Sequence, residues 1–126
     1  TEIKLLDFAL RNKIPVIGVC RGLQLIHNHF GGKIEKGDKT FKNIHNSSFH
    51  NVYVGELKYR VNSFHTSKIV ENTLNKDFEI IARCSEDNSI ECFKNEKIMA
   101  MMWHPERESN FNELNLNLIK NFLFNG

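Results

Sequence analysis

The chain has 126 residues, 40% of them hydrophobic and 25% charged, and a net charge of +2 from 17 basic and 15 acidic side chains. That is enough for one domain with one core, and too balanced for binding nucleic acid or an anionic membrane by charge. No apolar run is long enough to span a bilayer, no secretory signal is visible, and three cysteines make no disulfide framework, so the cytoplasm is the default compartment.

Residues 2–12 have helical periodicity, with Ile3, Leu6 and Leu10 on one stripe and Leu5, Phe8 and Ala9 widening it. Pro15 ends that pattern and opens a short β-forming run, Val16-Ile17-Gly18-Val19. Cys20 follows between two glycines, and Leu23, Leu25 and Ile26 then resume helical spacing. Strand, sharp turn and helix with G-x-C-x-G at the junction describe a nucleophile elbow in its cysteine form. Gly18 and Gly22 are expected to keep strand and helix from colliding. The helix N-terminus favours thiolate over thiol, and the Arg21 N–H is placed to serve as an oxyanion donor. An ordinary buried thiol is the competing account of this stretch alone.

The elbow helix is expected to run from Arg21 to about Phe30, where Gly31-Gly32 stops it. His27 and His29 are two apart, face different sides and form no chelating pair. Residues 33–51 are loop-rich, and His45 and His50 either face the site or lie on the surface. Short strands at 52–54 and 57–61 flank Gly55, and the polar Asn62-Ser63-Phe64-His65 follows. Residues 78–84, 89–93 and 98–103 predict an antiparallel meander, with Cys84 and Cys92 on facing strands as inert core thiols. Its last strand delivers Met101-Met102-Trp103-His104-Pro105-Glu106, a strand end presenting a base and an orienting carboxylate together. A helix over 110–125 closes the chain, with Phe111, Leu114, Leu118 and Phe122 on one stripe and Asn110 with Glu113 as a capping box.

Gly18-Val19-Cys20-Arg21-Gly22-Leu23-Gln24, with His104-Pro105-Glu106 far downstream, resembles the class I glutamine amidotransferases and their γ-glutamyl hydrolase relatives. Val61-Asn62-Ser63-Phe64-His65 and His50-Asn51-Val52 look like segments of the γ-glutamyl-γ-aminobutyrate hydrolase branch, and Met102 to Glu108 is similar to the γ-glutamyl-CDP-amidate hydrolases of surface-polysaccharide synthesis. The resemblance runs from about Pro15 to the end. It implies an α/β, flavodoxin-like, three-layer fold with a mostly parallel sheet and an antiparallel meander, present here in part. Thr1 opens the chain, and the family's earlier strands and second oxyanion loop are not seen in it, so residues 1–126 are expected to be one domain lacking its N-terminal portion.

The resemblance also implies the chemistry. Cys20, His104 and Glu106 would be the catalytic set. Arg21 and Gln24 would hold oxyanion and substrate, and Asn62, Ser63 and His65 would contact the glutamyl group, against turn capping as their plainer role. The implied reaction is hydrolysis of a γ-glutamyl amide through a glutamyl thioester, with no metal or organic cofactor. A glutaminase subunit supplying ammonia to a separate synthase partner, or a truncated non-catalytic domain, are the alternatives.

Overall fold

A computed structural model of the chain describes residues 2–107 and 113–125. Helix α1 (Glu2–Arg11) forms where the apolar stripe predicts it and buries Leu6. Strand β1 (Val16–Val19) leads through Cys20 into α2 (Arg21–His29). Gly31, at φ 86°, ends that helix in a conformation few other residues tolerate.

The segment expected to be loop-rich holds more structure than its polar composition suggests. It contains β2 (Ile34–Lys36) and a two-turn helix, α3 (Lys39–His45). Asp38 starts α3 by accepting a 2.8 Å hydrogen bond from the Phe41 N–H. Burial of Phe41 and His45 then holds this short helix in place.

Strands β3 (Ser48–Val54) and β4 (Leu57–Ser63) make one antiparallel hairpin, longer than the two pieces expected. Its two-residue turn has Gly55 at φ 61°. Strand β5 (Ser67–Ile69) pairs antiparallel with β2 as a separate ribbon. The meander is present as β6 (Glu79–Cys84), β7 (Ile90–Lys94) and β8 (Ile98–Met101). Helix α4 (Glu113–Asn125) follows. The expected capping box and Phe111 fall at or beyond the edge of the described residues.

The main sheet has the order β1-β8-β7-β6-β3-β4. Only β1 and β8 run parallel, and the other neighbouring pairs are antiparallel. Strand β8 is apolar at every position because it is buried on both faces. Ile98, Ala100 and Met102 pack in one core with Leu6 of α1 and with Leu23 and Ile26 of α2. Met99, Met101 and Trp103 pack in another with Leu114 and Phe122 of α4. Helices on both faces of a mixed sheet make three layers. Among the described residues no strand lies beside the outer edge of β1, where an apolar groove of about 410 Å³ runs between α1, β1 and α2. No described helix is long and apolar enough to cross a membrane.

The close approach at the elbow rests on Gly18 rather than equally on both glycines. A Cβ on Gly18 would lie 2.5 Å from Ile26 Cδ1 and 2.9 Å from the Gly22 carbonyl carbon, whereas a Cβ on Gly22 meets nothing within 4 Å. Gly18→Ala should therefore cost about 1–3 kcal/mol, because backbone must move to admit the methyl. A thermal melt checks it: an unchanged midpoint would show that strand and helix have slack here.

Candidate active site

The last residues of β1 and β8 determine what the site can do. Parallel pairing sets Val19 beside Met101, and the Cys20 N–H extends the ladder with a 2.8 Å bond to the Met101 carbonyl. Cys20 and His104 therefore leave the sheet at the same edge, one at the end of each strand. Cys20 is held at φ 51°, ψ −99°, a left-handed conformation that a non-glycine residue adopts only when its surroundings enforce it. The ladder bond behind it and α2 ahead of it supply that constraint.

The His104 Nδ1 lies 2.9 Å from Glu106 Oε2. Since Glu106 only accepts, Nδ1 carries the proton and Nε2 is left as the basic nitrogen. Burial acts to raise the Glu106 carboxyl, but the His104 hydrogen bond, a backbone N–H and the nearby cationic groups hold it below the usual range. The backbone of His104 is clasped by Asn62, whose Nδ2 donates to the His104 carbonyl and whose Oδ1 accepts from the His104 N–H, both at 2.8 Å. Arg107 lies over the Phe64 ring, 5.1 Å from its centroid, on the same rim.

Burial pushes the Cys20 thiol up. The Arg21 N–H and the Arg107 charge draw it down without overcoming burial, and Glu91 and Glu106 add to the rise. The resting group is thus the thiol, so desolvation outweighs the helix N-terminus that by itself favours thiolate. Alkylation of Cys20 by iodoacetamide should accordingly keep climbing with pH through the ordinary thiol value of 9.0. A rate that levels off near neutrality would overturn this and point to a standing thiolate–imidazolium pair. The other two cysteines, Cys84 and Cys92, are buried, and complete burial pushes Cys92 up to about 12.

The remaining predicted positions divide. Arg21 is exposed at the start of α2 and Gln24 is half-buried one turn along it. Asn62, Ser63 and His65 are buried. Asn62 holds the His104 backbone, and the Ser63 hydroxyl donates to the His45 carbonyl. His65 faces a cluster with His45 and His50, neither of which is a surface residue. His27 is also buried, its Nε2 3.0 Å from the Lys33 carbonyl oxygen, and His29 lies 3.4 Å from Asp7.

Sequence reasoning missed Glu91, the carboxylate at the centre of that cluster. It is 1% exposed on β7, in the otherwise apolar run Ile90-Glu91-Cys92-Phe93. An acid at an inward position of a central strand is the signal that could have found it, since such a charge needs partners.

The sequence matches the family model for class I glutamine amidotransferases over residues 1–125. It is 33% identical over 118 residues to a γ-glutamyl-CDP-amidate hydrolase of Campylobacter jejuni, covering 91% of this chain and 54% of that protein. It is 34% identical over 99 residues to a glutamine-hydrolysing GMP synthase subunit of Thermococcus kodakarensis, covering 74% of this chain and 51% of that one. The chain thus spans about half the length of these relatives. Among solved structures it superposes on a glutamine amidotransferase of Thermotoga maritima with a TM-score of 0.71 at 20% identity, covering 97% of this chain and 54% of that one. Together with the α/β architecture, these matches establish that the chain belongs to the class I glutamine amidotransferase family.

Proposed function

We propose that Cys20, His104 and Glu106 hydrolyse a γ-glutamyl amide through a glutamyl thioester. The observation that carries this reading is the strained Cys20 at the end of β1, next to a strand ending in a hydrogen-bonded His104–Glu106 pair. In the first half, His104 Nε2 takes the Cys20 proton and Sγ attacks the γ-carbonyl carbon. The Arg21 N–H donates to the oxyanion. Collapse breaks the C–N bond, and the proton on His104 goes to the departing amine, which leaves poorly unless protonated. In the second half, His104 takes a proton from water, the hydroxide oxygen attacks the thioester carbon, the C–S bond breaks, and His104 returns the proton to Sγ as glutamate leaves. Glu106 keeps the imidazole oriented and balances its transient charge.

Asn62 acts in this scheme as a positioning residue. Asn62→Ala should lower kcat by about a hundredfold while KM changes little, because small displacements of a catalytic group are costly. A change confined to KM would instead make Asn62 a substrate contact.

The match to a γ-glutamyl-CDP-amidate hydrolase over 91% of the chain favours a conjugate, rather than free glutamine, as substrate. The GMP synthase subunits among the relatives support the second reading, a glutaminase that passes ammonia to a synthase partner. Glutamate release by the full-length protein and its Cys20→Ala variant separates the two. The panel is glutamine, γ-glutamyl-γ-aminobutyrate and a γ-glutamyl nucleotide amidate. Cys20-dependent turnover of one conjugate with glutamine poor supports the hydrolase, and turnover of glutamine alone supports the glutaminase. Silence on all three leaves a non-catalytic role.

A further inference from the structure

Four buried side chains from four different segments converge beneath the catalytic edge: His45 at the end of α3, His50 on β3, His65 after β4, and Glu91 on β7. Each offers one nitrogen or oxygen, and these atoms all lie within 4.8 Å of one another. Glu91 Oε2 is 3.2 Å from His45 Nδ1 and 3.6 Å from His65 Nε2, and Glu91 Oε1 is 3.2 Å from His50 Nε2. His45 Nδ1, both nitrogens of His50 and both oxygens of Glu91 are buried and make no hydrogen bond of good geometry, only these charge contacts. Ligand atoms about 2.0–2.1 Å from a tetrahedral ion are spaced by about 3.3 Å along each edge, close to the 3.2–3.6 Å between the Glu91 oxygens and the three imidazoles, and the donors, all within 4.8 Å of one another, would close in on the ion.

We propose that His45, His50, His65 and Glu91 are the ligands of one divalent transition-metal ion of the zinc class. Three imidazoles and one carboxylate suit zinc, cobalt or iron(II), and are too nitrogen-rich for calcium or magnesium. The surrounding structure has the form that metal-binding histidines require. The far nitrogen of His45, Nε2, lies 2.6 Å from Asp87 Oδ2, fixing the ring so that Nδ1 faces inward. Asp87 is itself held by the Ser89 N–H and hydroxyl, at 3.0 and 2.7 Å. A second grouping, His45 with Cys84 and Asp87, shares one histidine but has only three donors, and its carboxylate is already engaged. With every ligand buried and four donors present, the ion is closed to substrate. It would tie α3, the β3–β4 hairpin and β7 together behind His104 rather than take part in the chemistry.

The test is refolding of the full-length protein with and without cobalt(II) or zinc, followed by gel filtration. One retained equivalent is expected, together with the visible ligand-field bands of four-coordinate cobalt and a higher melting midpoint than the metal-free protein. X-ray absorption of the bound zinc should read three nitrogen ligands and one oxygen, with no sulfur, and needs no variant. His50→Asn and His65→Asn should lose the equivalent while keeping their circular dichroism, whereas Cys84→Ser keeps it. Failure to retain metal with an unchanged midpoint overturns the site, as does a sulfur ligand in the absorption spectrum. Because these readouts do not involve turnover, they stand or fall separately from the proposed hydrolysis.

Discussion

Cys20→Ala should leave a folded protein whose glutamate release has fallen on the order of 10⁴-fold or more. The size of the loss follows from the proposed cycle. Both halves pass through a bond to Sγ, and alanine offers neither a nucleophile nor a proton for His104 to take. Water attacking directly would have to displace an unactivated amine in one step. The fold should tolerate the change. Alanine pays the same left-handed backbone penalty as cysteine at φ 51°, and the half-exposed sulfur contributes little core. Initial rates on the responsive γ-glutamyl compound, beside circular dichroism and a melt, check both parts. Residual activity within tenfold of wild type would remove Cys20 from the mechanism, and with it the thioester.

Glu91→Ala should have the largest effect on stability, a loss of about 3–5 kcal/mol, because it strips the counter-charge from a buried ionic cluster. Burial acts to raise the Glu91 carboxyl, but its contacts with His45 and His50 and the charge of His65 hold it below the usual range, so it is ionised within the protein. His45 responds in the opposite sense. In the metal-free protein burial would lower it, but Cys84, Glu91 and Asp87 raise it to about 10, so a bound ion has to displace that proton. His65 is pushed down to about 4, chiefly by burial. Removing the carboxylate leaves three packed imidazoles with only Asp87 at their margin, and a hole in a strand with no slack. For a domain of this size the melting midpoint should fall by roughly ten degrees or more. Glu91→Gln, which keeps the volume, should fall in between. A midpoint within two degrees of wild type for Glu91→Ala would show that the carboxylate does not hold this cluster together.

The two halves of the proposed catalytic set are legible in the sequence because each is a local device. Gly18, Cys20 and Gly22 lie within one turn, and His104, Pro105 and Glu106 within three residues. The meander is legible as well, since its strands are apolar and its turns polar. The histidine cluster is not, because its members come from four segments and meet only after β3 and β7 enter the same sheet. Helix α3 is hidden by length and composition: seven mostly polar residues that persist because Phe41 and His45 are buried. The direction of the Cys20 shift depends on how deeply the elbow sits, which no local motif encodes.

Trp103, the chain's single tryptophan, is fully buried, and its indole N–H donates to Asn115 of α4 at 2.7 Å. It also immediately precedes His104. The protein thus carries an intrinsic fluorophore between the Cys20–His104 edge and α4. Emission should be blue-shifted in the native state and move to the red when α4 undocks and water reaches the indole, so one optical signal can follow that opening in real time without any added label.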